Sequence, residues 1–77
     1  MRKFRTRETL NKLKWGGYDF TKVTVVFLDR FAGFKEIEGN EIESIGHKFI
    51  YLKDGRAIPQ HRVVEIRYRG EVVWRKQ

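Results

Sequence analysis

The side chains best suited to chemistry crowd into one stretch, Ala57-Ile58-Pro59-Gln60-His61-Arg62-Val63-Val64-Glu65-Ile66. Here a proline, a histidine and an arginine stand at the entrance of a β pattern whose apolar positions, Val64 and Ile66, have no packing use for them. Pro59 lacks a backbone donor and holds Ile58 extended, so the chain is an edge, a bulge or a bend at this point. Bends beside strands re-aim side chains. Arg62 offers the planar fork that matches a phosphate, and His61 offers a second donor. Period two puts Arg62 on the face of Val64 and Ile66, at its rim, and His61 on the opposite face. The two therefore meet in one anion pocket only if Pro59 bends the strand. Otherwise they split, and Arg62 reads as a structural cation paired with Asp29 or with a glutamate of residues 36–43.

Other chemistry is harder to assemble. With no cysteine there is neither a disulfide nor a thiolate metal site, and two histidines alone make a poor zinc set, so no metal and no cofactor is expected. The chain has no nucleophile elbow, no phosphate-binding glycine loop and no H-E-x-x-H pair. A nuclease using two histidines as acid and base would need His47 and His61 to converge across one phosphate, with a lysine or arginine nearby. His47 opens a strand and carries no assigned role.

Seventy-seven residues make one domain, expected to span 1–77, with a small core that large aromatic side chains can make dense. No apolar run approaches the roughly 18 residues of a membrane span, so no membrane partner is expected and the default compartment is the cytoplasm. The formal charge of +7 points to phosphate-bearing partners. Its excess is uneven. Residues 1–14 set Arg2, Lys3, Arg5, Arg7, Lys12 and Lys14 against Glu8, and residues 62–77 set Arg62, Arg67, Arg69, Arg75 and Lys76 against Glu65 and Glu71. The middle is balanced, so the two chain ends would form a basic pole if they meet.

The elements that must position these residues follow from local patterns. Thr6 as N-cap, Glu8 in the first turn and Gly16-Gly17 as the stop predict a helix over 7–14, with Leu10 and Leu13 buried and Arg7, Asn11 and Lys14 on a solvent side. Trp15 reads either as a lid on the core or as a platform for a stacked base. Val23–Leu28, apolar on both pleat faces, predicts a central strand ending at Asp29-Arg30, and Lys35–Glu38 predicts a short edge strand. Asn40 with Glu43, before Ile45 and Gly46, resembles a capped single helical turn. His47–Lys53 alternates as a strand, and Asp54-Gly55 predicts a two-residue hairpin pairing Lys53 with Arg56 and Leu52 with Ala57. For the last hairpin, a three-residue loop, Tyr68-Arg69-Gly70, pairs Ile66 with Val72 and Val64 with Trp74 on one apolar face. The sum is an α+β fold, with an N-terminal helix packed on a strongly bent antiparallel sheet of about five strands that curls toward a barrel.

Ile58-Pro59-x-His61-Arg62-Val63-x-x-Ile66, with Leu10-x-x-Leu13-Lys14-Trp15 upstream, Asp29-Arg30 after the central strand and a terminal Val73-Trp74-Arg75, resembles the RNA cyclic group end recognition domain family. The resemblance covers nearly the whole chain. It implies a small archaeal protein of an uncharacterised family that binds RNA termini, including 2′,3′-cyclic phosphate ends, without catalysing a step. Carried over by position, it makes His61 and Arg62 contacts to the end phosphate, with Arg30 and Trp15 as secondary RNA contacts; Lys14 is a candidate from the helix itself, whose side of Arg7, Asn11 and Lys14 could face a phosphate backbone. Two other readings stay open: a structural or adaptor module that docks an acidic protein or self-associates as a homodimer, and a weak RNA-end-processing enzyme.

Overall fold

Leu10 and Leu13, three apart on α1 (Thr6–Trp15), anchor the helix to the core, at 0% and 6% exposure. Burying each contributes about 1.5–3 kcal/mol. The computed structural model describes residues 6–76, so Arg2, Lys3 and Arg5 of the expected basic pole lie outside the described residues. Thr6, expected to cap the helix from outside, lies within α1 and is buried. The expected solvent side of Arg7, Asn11 and Lys14 is half-buried, and the Arg7 Nε is enclosed with no hydrogen-bond partner. Trp15 does not cover the core. It is 77% exposed, with the Lys14 Nζ 5.6 Å from its ring centroid.

Among the described residues seven strands follow in two antiparallel sheets, which replace the single sheet of about five strands, and they form no closed barrel. The first sheet contains β1 (Val23–Asp29), β2 (Gly33–Glu38), β6 (Val63–Tyr68) and β7 (Glu71–Arg75) in the order β2-β1-β6-β7. The second contains β3 (Ile42–Ile45), β4 (Phe49–Leu52) and β5 (Ala57–Pro59) in that order. The expected central and edge strands are β1 and β2. One core joins everything: Leu10 and Leu13 from the helix, Val23, Val25, Phe27, Ile37, Val63 and Ile66 from the first sheet, and Ile42, Ile50, Leu52 and Ile58 from the second.

The chain passes between sheets at two 3-10 turns. Gly39–Glu41 follows β2, with Glu38 and Glu41 forming a reciprocal capping box and the Glu38 N–H donating to Glu41 Oε2 at 2.9 Å. The cap expected at Asn40 and Glu43 therefore sits two residues earlier, and Ile42–Ile45 is extended, because Ile42 must reach the core. The second crossing, Gln60–Arg62, begins at Pro59, whose φ of −61° and ψ of 132° end β5. The bend expected at Pro59 is thus a transfer from one sheet to the other.

Both hairpin registers differ from expectation. In the β4–β5 hairpin Ile50 lies opposite Ile58 and Tyr51 opposite Ala57, around the three-residue loop Lys53-Asp54-Gly55. Gly55 takes a φ of +96° there, and the Leu52 N–H donates to the Arg56 carbonyl at 2.8 Å. A two-residue turn would have set buried Ile50 against Pro59. In the β6–β7 hairpin the turn is the two residues Arg69 and Gly70, both at positive φ (52° and 85°), as a type I′ turn requires. A bulge between Ile66 and Arg67 then brings Ile66 opposite Trp74, so the apolar match is recovered inside the strand. A second irregularity, between Val26 and Phe27 on β1, skips Val64, so the buried positions of β6 are Val63 and Ile66 rather than Val64 and Ile66.

On the outer face of the first sheet, Arg67 Nε donates to Glu65 at 2.5 Å, its Nη1 lies 3.4 Å from Glu36, and Arg75 reaches Glu65 at 3.2 Å. Those side chains cover Val26, which sits between Glu36 and Glu65 in the ladder.

Candidate functional site

Asp29 ends β1 and shapes the loop behind it. Its Oδ1 accepts the N–H groups of Phe31 at 2.8 Å and Ala32 at 3.0 Å. Those two bonds, aided by Lys35 and Arg62, hold the carboxyl below its ordinary value and ionised. The folded-back loop sets Arg30 with its guanidinium carbon 5.8 Å from the ring of Phe31, which is 92% exposed. Beside it lies a cleft of about 330 Å³ whose lining includes Phe27, Leu28, Asp29, Arg30 and Phe31 from the first sheet, Arg56 to Pro59 from the second, and Arg62 from the crossing between them. That volume is within the range of ligand pockets. Three arginines from three segments meet there. Arg56 is tied to Asp54, with Nε donating at 2.8 Å. Arg62, expected to pair with Asp29 or a glutamate of 36–43, makes no ion pair among the described residues and faces Asp29 only at longer range.

His61 looks the other way. It lines a second hollow, about 360 Å³, with His47, Lys48, Phe49, Pro59 and Gln60, and a third with Thr6, Val63, Trp74 and Lys76. Pro59 thus separates the two residues: Arg62 joins Arg30 in the cleft, and His61 joins His47 behind it. The ladder and the turn before it explain the second grouping. Phe49 lies opposite Pro59 and the Gln60 N–H donates to the Lys48 carbonyl at 2.8 Å; the strand expected from His47 begins only at Phe49, and the His47-Lys48 turn, closed by the Gly46 N–H donating to the Phe49 carbonyl at 2.8 Å, lies against the crossing that carries His61. Gln60 Nε2 also donates to the Gly46 carbonyl, tying the crossing to the start of the hairpin. Lys76 Nζ donates to the His61 carbonyl. Thr6 of α1 and Lys76, just after β7, line one hollow, while the charges of residues 1–5 that the basic pole needs lie outside the described residues.

Lys14 and Trp15 line neither the cleft nor the histidine hollow. Lys14 Nζ lies over both Trp15 and Phe20, 5.6 and 5.8 Å from the ring centroids, so these residues form a separate exposed aromatic spot at the helix end. Arg56 and His47 were missing from the expected set. The signal for both was the β4–β5 register, since a three-residue loop at Asp54 sets Phe49 against Pro59, which leaves Arg56 at the cleft and the His47-Lys48 turn beside the crossing of His61. Among the described residues no group of three or more histidines and carboxylates could share a metal ion, and no helix is long and apolar enough to cross a membrane.

The comparisons with known proteins agree with the resemblance read from Pro59, His61 and Arg62. The chain matches, over residues 1–76, the family model described as the MJ1316 RNA cyclic group end recognition domain. A relative from Archaeoglobus fulgidus, named UPF0248 protein, is 52% identical over 68 residues that span 87% of this chain and 99% of its own. Another of the same name, from Metallosphaera sedula, is 41% identical over 68 residues, 88% of this chain and 87% of its own. No solved structure matches the chain. With the match running along residues 1–76 and both relatives aligned over most of the chain, this protein belongs to the RNA cyclic group end recognition domain family.

Proposed function

We propose that this domain binds RNA ends, with the terminal phosphate, a 2′,3′-cyclic phosphate or a related 3′ group, taken by the arginine cleft, and that it does so without catalysis. The observation that carries this reading is the meeting of Arg30, Arg56 and Arg62 beside the exposed ring of Phe31. A cyclic phosphate carries one negative charge and no ionisable hydroxyl, so it is recognised by fork donors and by a flat ring for the terminal base. Arg62 is free of ion pairs among the described residues and supplies the fork; Phe31 supplies the ring. The family description, which names recognition of a cyclic group end, supports the same reading.

The test is fluorescence anisotropy on short 5′-labelled RNAs that are identical except for a cyclic-phosphate or a hydroxyl 3′ end. Preference for the cyclic end, lost in Arg62→Ala, is expected. Equal affinity for both ends in the native protein would remove end recognition and leave general RNA binding. A second reading draws on the shared hollow of His47, Lys48 and His61, which has the composition of an acid–base pair with a cation. That enzyme reading requires the purified domain to open a cyclic-phosphate oligonucleotide, with the activity abolished in His61→Ala.

A further inference from the structure

The outer face of the second sheet pairs two features that neither the cleft nor the core uses. Phe49 and Tyr51 alternate outward along β4, 39% and 44% exposed, with ring centroids 6.2 Å apart. Their neighbours are small. Ala57 stands opposite Tyr51 on one side and Ser44 on the other. At Gly46 a Cβ would sit 3.0 Å from the Tyr51 ring and 3.2 Å from the Phe49 carbonyl, so glycine lets that ring lie close over the turn, where any side chain would push it back by a few tenths of an ångström. At the end of this aromatic run, on the same face, lies the hollow of His47, Lys48 and His61. Among the described residues the ionisable side chains facing it are those three, with Lys76, just after β7, bonded to the His61 carbonyl from the adjoining hollow, and no described carboxylate lines either.

We infer that this face is a track for single-stranded RNA: Phe49 and Tyr51 stack bases, and His47, Lys48 and His61 hold a backbone phosphodiester. Exposed rings beside cations are the means by which single strands are bound with little regard to sequence. Pro59 lines both the histidine hollow and the arginine cleft, so the track continues around the bend into the cleft. This deepens, and rests on, the reading of the cleft as the seat of the RNA end. Lys48 gives the track an electrostatic share of its affinity, so binding weakens as salt rises.

The experiment measures anisotropy of the whole chain with 5′-labelled hexanucleotides bearing a cyclic-phosphate or a hydroxyl 3′ end. Lys48→Gln is expected to flatten the slope of log affinity against log salt by about 0.7. His47→Gln with His61→Gln weakens binding several-fold by removing two donors to the phosphodiester. Tyr51→Leu and Phe49→Leu each weaken binding about ten-fold. Circular dichroism melts monitor folding of each variant, and leucine keeps the apolar cover of β4. Affinity that ignores the leucine and glutamine variants, with the cyclic-end preference intact, overturns the track and leaves the cleft reading standing. Loss of the end preference with these dependences intact removes the cleft reading and keeps the track as a single-strand site. No RNA binding in any condition overturns both.

Discussion

Removing Arg62 should separate a binding residue from a structural one. Its guanidinium makes no ion pair among the described residues, and its attraction to Asp29 acts across solvent, where screening leaves little. Arg62→Ala is therefore expected to shift the melting temperature by no more than a few degrees. Ile66, at 0% exposure, supplies the comparison: truncation to alanine removes buried methylenes and leaves a cavity, a loss of about 2–5 kcal/mol. At roughly 4–8 °C per kcal/mol for a domain of this size, that is about 10 °C or more. Toward RNA the ranking reverses. A hydrogen bond from a charged donor contributes about 1.5–3 kcal/mol, so Arg62→Ala should weaken binding by roughly 10- to 150-fold at low salt. Loss of one phosphate contact on a single strand should also flatten the slope of log affinity against log salt by about 0.7. Calorimetric melts and anisotropy titrations over a salt series read both quantities. An Arg62→Ala protein that melts as early as Ile66→Ala, or that keeps the native salt slope, would refute the assignment and make Arg62 part of the fold.

Asp29→Ala frees the Phe31 and Ala32 amides, so their hydrogen exchange should accelerate while β1 stays protected, and RNA affinity should fall with the loss of the positioned Arg30 and Phe31. At Gly39 a Cβ would stand 1.8 Å from the Phe20 carbonyl oxygen, a clash of backbone with backbone that no rotamer relieves. Gly39→Ala should accordingly lower the urea midpoint by an amount equivalent to about 1–3 kcal/mol or more. Glu65 is held below its ordinary value, first by the hydrogen bond from Arg67 and then by Arg75. Its contribution to stability is therefore present above pH 4.5, the ordinary glutamate value, and is lost as pH falls through the lower folded value. Thermal melts in an acid series should show a loss that is smaller in Glu65→Gln, and an equal acid response in the two proteins would refute this.

Much of the architecture was legible because local chemistry decided it. Val23–Leu28 carries apolar residues on both faces and could only be a central strand; Leu10 and Leu13 could only be the buried stripe of a short helix. Pro59 announced a break, and a break is there. Other readings failed where a long-range demand overrode a local one. Trp15 follows a buried stripe, yet faces water beside Lys14. Asn40 and Glu43 have cap spacing, but Ile42 is needed in the core, so the chain turns at Gly39–Glu41 and runs on extended. In β6 the irregularity that skips Val64 changes the phase of the strand, and no property of the residues themselves signals it.

The candidate site divides in the same way. Composition and spacing determined that the chain is basic and that Arg62 is a candidate phosphate donor; Pro59, His61 and Arg62 carried the family resemblance, which added Arg30. Which cation faces which anion was decided only by the tertiary structure. A hairpin loop one residue longer than Asp54-Gly55 suggests brings Ile50 opposite Ile58 and Phe49 opposite Pro59, and His47 and His61 line one hollow beyond that pair. The crossing at Gln60–Arg62 sends Arg62 to one side of Pro59 and His61 to the other. The physical reason is the two-residue period of a strand: a slip of one position reverses every side chain, and burial of Ile50, Leu52 and Ile58 in the common core selects the register that local turn chemistry leaves open.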